Sequence, residues 1–81
     1  MKQFEFTAHA ENMILERNIA PGWVTTTISE PLFTETKNDG TIHYLKPIPE
    51  YGGRILRVVA NPGSLPPRII TVFFDRRARR K

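Results

Sequence analysis

The sequence contains no cysteine, which excludes disulfides, thiolate nucleophiles and cysteine-based metal centres. Two histidines in 81 residues are too few for a recognisable zinc site. Apolar runs are short. No window approaches the ~20 residues of a membrane span, and the opening "MKQFEF" lacks the apolar stretch of a secretory leader. These absences predict a cytoplasmic protein with no membrane partner. A Walker loop, a dinucleotide fingerprint and a catalytic triad are also missing, since Ser29 and Ser64 have no local partner motif. No small-molecule cofactor and no metal are therefore expected. A single domain of this length buries only about 60–65% of its unfolded surface. Its site should lie on a surface or in a shallow groove, which suits a polymer or a partner protein better than an engulfed ligand.

Charge is plentiful but unevenly placed. The net charge is +4, with 12 Lys and Arg against 8 Asp and Glu. The last six residues, "RRARRK", hold five of the 12 basic side chains: Arg76, Arg77, Arg79, Arg80 and Lys81. Residues 1–75 then carry seven basic against eight acidic groups, about −1. The chain reads as a single domain over 1–75 followed by a basic tail over 76–81, and such a tail attracts polyanions without reading sequence.

Periodicity sets out the elements. Thr7 is a plausible N-cap and Glu11 suits the positive end of the dipole, so a helix is predicted over 8–18. At about 100° per residue, Arg17 falls between Met13 and Ile14, in the middle of the apolar stripe, with His9 on its edge. "IAPGWVTTTISEP" predicts a second helix, with Pro21 in the first turn and Val24 and Ile28 on one face, although three consecutive threonines favour strand. After Pro31 the period becomes two. "LFTETK" and "TIHYLKPI" flank Asn38, Asp39 and Gly40, a hairpin signal. "PEYGG" turns the chain into "RILRVVAN", and "PGSLPP" leads to "RIITVFFD". Four strands joined by short connections predict an antiparallel meander. Leu56, Val58 and Ala60 alternate with Ile55, Arg57 and Val59, and Ile70, Val72 and Phe74 with Ile69, Thr71 and Phe73. Arg57 and Thr71 mark the open side of the sheet if their faces coincide.

Several side chains carry chemistry. His9 sits in the first helical turn, where free backbone N–H groups and the dipole attract anions. A neutral imidazole beside a bound anion is what general-base removal of a ribose 2′-hydroxyl proton would use. The bland alternative is a surface histidine bonded to Asn12 or Glu16. Arg17, centred on an apolar face, must have its guanidinium satisfied. Glu35, Glu50 or Asp75 would serve as a structural partner, and a phosphate as a functional one. The two residues lie about 12 Å apart along the helix axis, enough to line one groove but not to hold one atom. Arg57, close to Arg54 and facing the same way as Thr71, would stabilise a phosphorane's charge; its structural alternative is cross-strand pairing with a glutamate. Tyr44, Tyr51 and Trp23 are candidates for base stacking, although Trp23 suits a core and "PEYGG" is first of all a turn.

The order of pieces, from "FTAHAENMILERNI" through a hairpin to "GGRILRVVAN" and "RIITVFFDRR", resembles a family of small bacterial domains of unknown function. That family is placed near the RelE/ParE-like toxins and the wider barnase/colicin/RelE group of ribonucleases. The resemblance implies an α+β, RelE-like fold with two N-terminal helices packed on a four-stranded antiparallel sheet. It also implies metal-independent RNA cleavage, in which the 2′-hydroxyl attacks the adjacent phosphate and leaves a cyclic end. His9 and Arg17 would be the helix contribution to catalysis, Arg57 with Thr71 the sheet contribution. Arg54, Arg76, Arg77, Arg79, Arg80 and Lys81 would bind RNA. RNA or the ribosome and a cognate antitoxin are the implied partners. One departure stands out: Phe73 and Phe74 occupy positions where such strands often end in an aromatic hydroxyl. A leaving-group acid must then come from Tyr44, Tyr51 or protonated His9. The alternative is a non-catalytic RNA-, ribosome- or protein-binding module of the same fold.

Overall fold

A computed structural model describes residues 4–64 and 66–76. The chain runs β1 (Glu5–Phe6), α1 (Ala8–Glu16), α2 (Pro21–Ser29), β2 (Phe33–Thr36), β3 (Ile42–Ile48), a 3-10 turn at Pro49–Tyr51, β4 (Arg54–Asn61) and β5 (Arg68–Phe74). The class is α+β, as expected, but the sheet differs. It has five strands in the order β1-β5-β4-β3-β2 and is mixed, because β1 pairs in parallel with β5. Glu5 N–H donates to Pro67 O and Thr7 N–H to Ile69 O. A two-residue strand has no periodicity to read, so only its partner reveals it.

The start of α1 is tied to that last strand. The Thr7 hydroxyl accepts from Ala10 N–H at 3.1 Å and donates to Ile70 O at 3.0 Å. Ile70 is the extra residue of a bulge: Val59 pairs with Thr71 but Ala60 pairs with Ile69. The bulge breaks the alternation, so that Ile69 and Val72 both enter the core against the helices.

The end of α1 corrects the placement of Arg17. The helix stops at Glu16, and Asn18 adopts φ 54°. Ile19 N–H donates to Ile14 O and Asn18 N–H to Leu15 O, the paired bonds of a Schellman motif. Ile19, 3% exposed, takes the core place that continued helical phase gives to Arg17. Arg17 becomes an exposed C-cap beside the negative end of the dipole.

In α2 the threonines are accommodated by bonding backwards. Thr25, Thr27 and Ser29 hydroxyls donate to the carbonyls of Pro21, Trp23 and Thr25. Thr27 is therefore fully buried without an unsatisfied oxygen.

Both helices contribute to one core with Ile48, Leu56, Val58, Ala60, Ile69 and Val72, all on the same side of the sheet. Arg57 is paired with Phe73 and Val59 with Thr71, so Arg57 and Thr71 share the opposite face, which among the described residues neither helix covers.

Replacing Thr7 with alanine removes the cap and the bond to the bulge together. Urea unfolding should show a loss of about 1–2 kcal/mol. Thr7→Ser, which keeps the hydroxyl, should lose much less; an equal loss in both variants would show that the hydroxyl is not what matters.

Candidate functional site on the open face of the sheet

Register brings chemistry together on the uncovered face. Glu35 lies opposite His43 across the β2–β3 hairpin, Leu45 opposite Arg57, and Arg57 opposite Phe73. The hairpin turn is held by Gly40 at φ 89° and by Asp39, whose Oδ1 accepts from Thr41 N–H and hydroxyl. This fixes the register that faces Glu35 toward His43.

Arg57 is the hub. Its Nε donates to Asp75 Oδ2 at 2.7 Å, and its Nη2 lies 2.7 Å from the same oxygen. Nη1 donates to Glu35 Oε1 at 3.1 Å and meets His43 Nδ1 at 2.8 Å. Lys37 Nζ is 2.9 Å from the same Glu35 oxygen. A guanidinium only donates, so His43 Nδ1 is the acceptor and its proton sits on Nε2. Within this group two cations balance two carboxylates around an uncharged imidazole.

Shielding grades the pairs. The side chains of Arg57 and Asp75 are 13% and 14% exposed, those of Glu35 and Lys37 37% and 45%. The inner pair is therefore held in partial desolvation while solvent screens the outer one. Leu45, fully buried on a face that no helix covers, needs long neighbours for a roof, which the aliphatic stem of Arg57 can supply.

Titration follows from this arrangement. Burial, then the charges of Arg57 and Lys37, push His43 below its ordinary 6.5. Hydrogen bonds from Lys37 and then Arg57 lower the Glu35 carboxyl. Glu35 is thus ionised and His43 neutral near pH 7.

The four residues expected to form one catalytic group are divided. Arg57 and Thr71 share the open face as diagonal neighbours, whereas His9 and Arg17 are exposed on α1, in the layer that packs on the other face. Two of the three carboxylates considered as partners for Arg17, Glu35 and Asp75, belong to Arg57. Arg54 lies over the Tyr51 ring at the start of β4, and Arg76 is exposed. Arg77, Arg79, Arg80 and Lys81 lie outside the described residues. His43 was missed by sequence reasoning, although the Asp39–Gly40 turn offered a signal: counting outward from it sets His43 against Glu35.

Among the described residues no cluster of three or more His, Asp or Glu is arranged to hold a metal ion, and no helix is long and apolar enough to cross a membrane. A groove of about 690 Å3 opens on the helix side between α2 and the sheet, walled by Phe4, Phe6, Val24, Ile28 and Tyr44. It contains none of the charged cluster.

Residues 6–74 match the model of a family described as Domain of unknown function (DUF4258). The chain belongs to that family. No curated protein and no solved structure matches it. The match to DUF4258 covers both helices, the hairpin and the strands bearing Arg57 and Thr71, and ends one residue before Asp75.

Because the folded pKa of His43 is depressed, the unfolded chain holds the extra proton between that value and 6.5, so stability rises with pH across this window. Urea midpoints measured from about pH 5 to 8 should flatten there in His43→Gln. The stability contributed by Glu35 is present above its ordinary 4.5 and is lost as pH falls through its lowered value. That acid limb should persist in His43→Gln and shrink in Glu35→Gln.

Proposed function

We propose that this DUF4258 domain is a RelE-like, toxin-type endoribonuclease that needs no metal and works at the open face of its sheet. The observation that carries the reading is the single hydrogen-bonded group of Arg57, His43 and Glu35 on an uncovered surface. A fixed cation, an oriented imidazole and a carboxylate are the parts that 2′-hydroxyl attack on a phosphate requires.

The unequal shielding of the two ion pairs suggests the sequence of events. A phosphoryl oxygen arriving at Nη1 displaces Glu35, the more exposed partner, while Asp75 keeps Nε and Nη2 in place. Glu35, relieved of one contact that lowers its pKa, becomes a better base for the 2′-hydroxyl proton. The alkoxide attacks phosphorus, the 5′-oxygen leaves, and that oxygen takes up a proton from water as the 2′,3′-cyclic phosphate forms. Arg57 and the Nε2–H of His43 hold the charge of the phosphorane. Thr71 borders this surface. His9 and Arg17, exposed on the helix layer at the other face of the sheet, take no part in this step. A cognate antitoxin covering the open face would silence such an enzyme.

One observation favours a second reading, a non-catalytic module that binds RNA, ribosome or protein. Arg57 already has carboxylates on both edges of its guanidinium, and among the described residues of the cluster the charge is balanced.

Incubation of end-labelled RNA in EDTA, with and without ribosomes, tests the choice. Cleavage leaving cyclic phosphate ends is expected, slowed on the order of 100-fold or more in Glu35→Gln and Arg57→Lys and little affected in a His9→Ala/Arg17→Ala double variant. Activity that depends on the helix pair instead would move the chemistry to α1. No cleavage under either condition would leave the binding module.

A further inference from the structure

A second group of residues lies away from the Arg57 cluster, where β4 begins and β5 ends. Tyr51, at the end of the 3-10 turn, stacks on Phe74 with ring centroids 4.5 Å apart and planes at 26°. Trp23 meets Phe74 edge-on at 6.1 Å and Tyr51 at 5.8 Å. Arg54 places its guanidinium carbon 5.2 Å from the centroid of the Tyr51 ring.

Two features distinguish this stack from a satellite of the core. Tyr51 remains 41% exposed although Phe74 and Trp23 back it. Arg54 is exposed and, among the described residues, forms no ion pair with a carboxylate, unlike Arg57. Its planar charge is thus displayed on an aromatic support and available for a ligand.

The chain's basic end starts from the same place. Leu56 pairs with Phe74, and Asp75 N–H donates to Ile55 O, so β5 leaves the sheet next to Arg54. Five of the next six residues are Arg or Lys. An exposed aromatic ring carrying an exposed guanidinium has the two components of single-strand recognition: a π-face for a base and a cation for a phosphate.

We propose that Tyr51 and Arg54 form a stacking seat for an unpaired base of single-stranded RNA, separate from the cleavage centre. Phe74 and Trp23 hold the tyrosine ring rigid, and the Arg54 guanidinium either stacks on the base or swings aside to let it reach the ring. The proposal rests on the ribonuclease reading only in taking RNA as the polymer, and it requires no cleavage.

The test uses the full chain and two labelled probes that lack an attacking 2′-hydroxyl. One is a 2′-O-methyl oligouridylate, the other its abasic counterpart of the same length and charge. Fluorescence anisotropy should show the base-bearing strand binding on the order of tenfold or more tighter than the abasic one. This preference should vanish in Arg54→Gln and in Tyr51→Leu, each confirmed as folded by circular dichroism, so that each variant binds the two probes alike. Equal binding of both probes by the parent protein, no binding of either, or a preference that survives both substitutions would overturn the stacking seat. Since neither probe can be cleaved by 2′ attack, this outcome is read independently of ribonuclease activity.

Discussion

Both helices lie against one face of the sheet, so the alternation of the central strands sends Leu56, Val58 and Val72 toward them and Arg57 and Thr71 away. An arginine facing away from the core in the middle of a five-stranded sheet is still hemmed in by neighbouring strands. It needs partners that balance its charge without burying it completely. Asp75 comes from the residue after β5, Glu35 from two strands away, and His43 from the strand between. The sidedness of the core thus dictates the composition of the opposite surface. The charged cluster is what a one-sided sheet produces when its central strand carries a cation.

Much of this was legible in the sequence, and the parts that were not share a physical character. The helices announced themselves through Thr7, Pro21 and the spacing of apolar residues, and the hairpin through Asp39 and Gly40. Strands β2 to β5 followed from alternation. Arg17 was misplaced because a helical wheel assumes a helix that continues, whereas Asn18 in a left-handed conformation ended α1 and rotated Ile19 inward. β1 was invisible because two residues have no period, and the Ile70 bulge because it is a mismatch between two strands rather than a property of either. The partners of Arg57 were the hardest to see. Glu35 and Asp75 were both considered as carboxylates for a buried cation, but linear order does not say which arginine they reach. That depends on register across three strands.

The two arginines of β4 illustrate how environment separates like residues. Arg57 is clamped between carboxylates in a partly desolvated network, and Arg54, three residues earlier, rests on an aromatic ring in solvent. One is constrained in position and neutralised; the other, among the described residues, has no carboxylate beside it. A count of basic residues treats them as equivalent, yet only Arg57 costs the fold an uncompensated charge when its partners are lost.

The hydroxyl of Thr7 on the carbonyl of Ile70 spans 63 positions of the sequence. It joins the first helix to the last strand. β5 supplies Ile69, Val72 and Phe74 to the core and Asp75 follows it directly, so neither the apolar interior nor the clamp on Arg57 can be completed while that segment is missing. A nascent chain holding only α1 to β4 has its helices without the strand on which α1 rests, and its central cation without the better-shielded carboxylate. Assembly of this domain therefore waits on β5. The open face gathers the partners of Arg57 only once that strand and Asp75 have emerged.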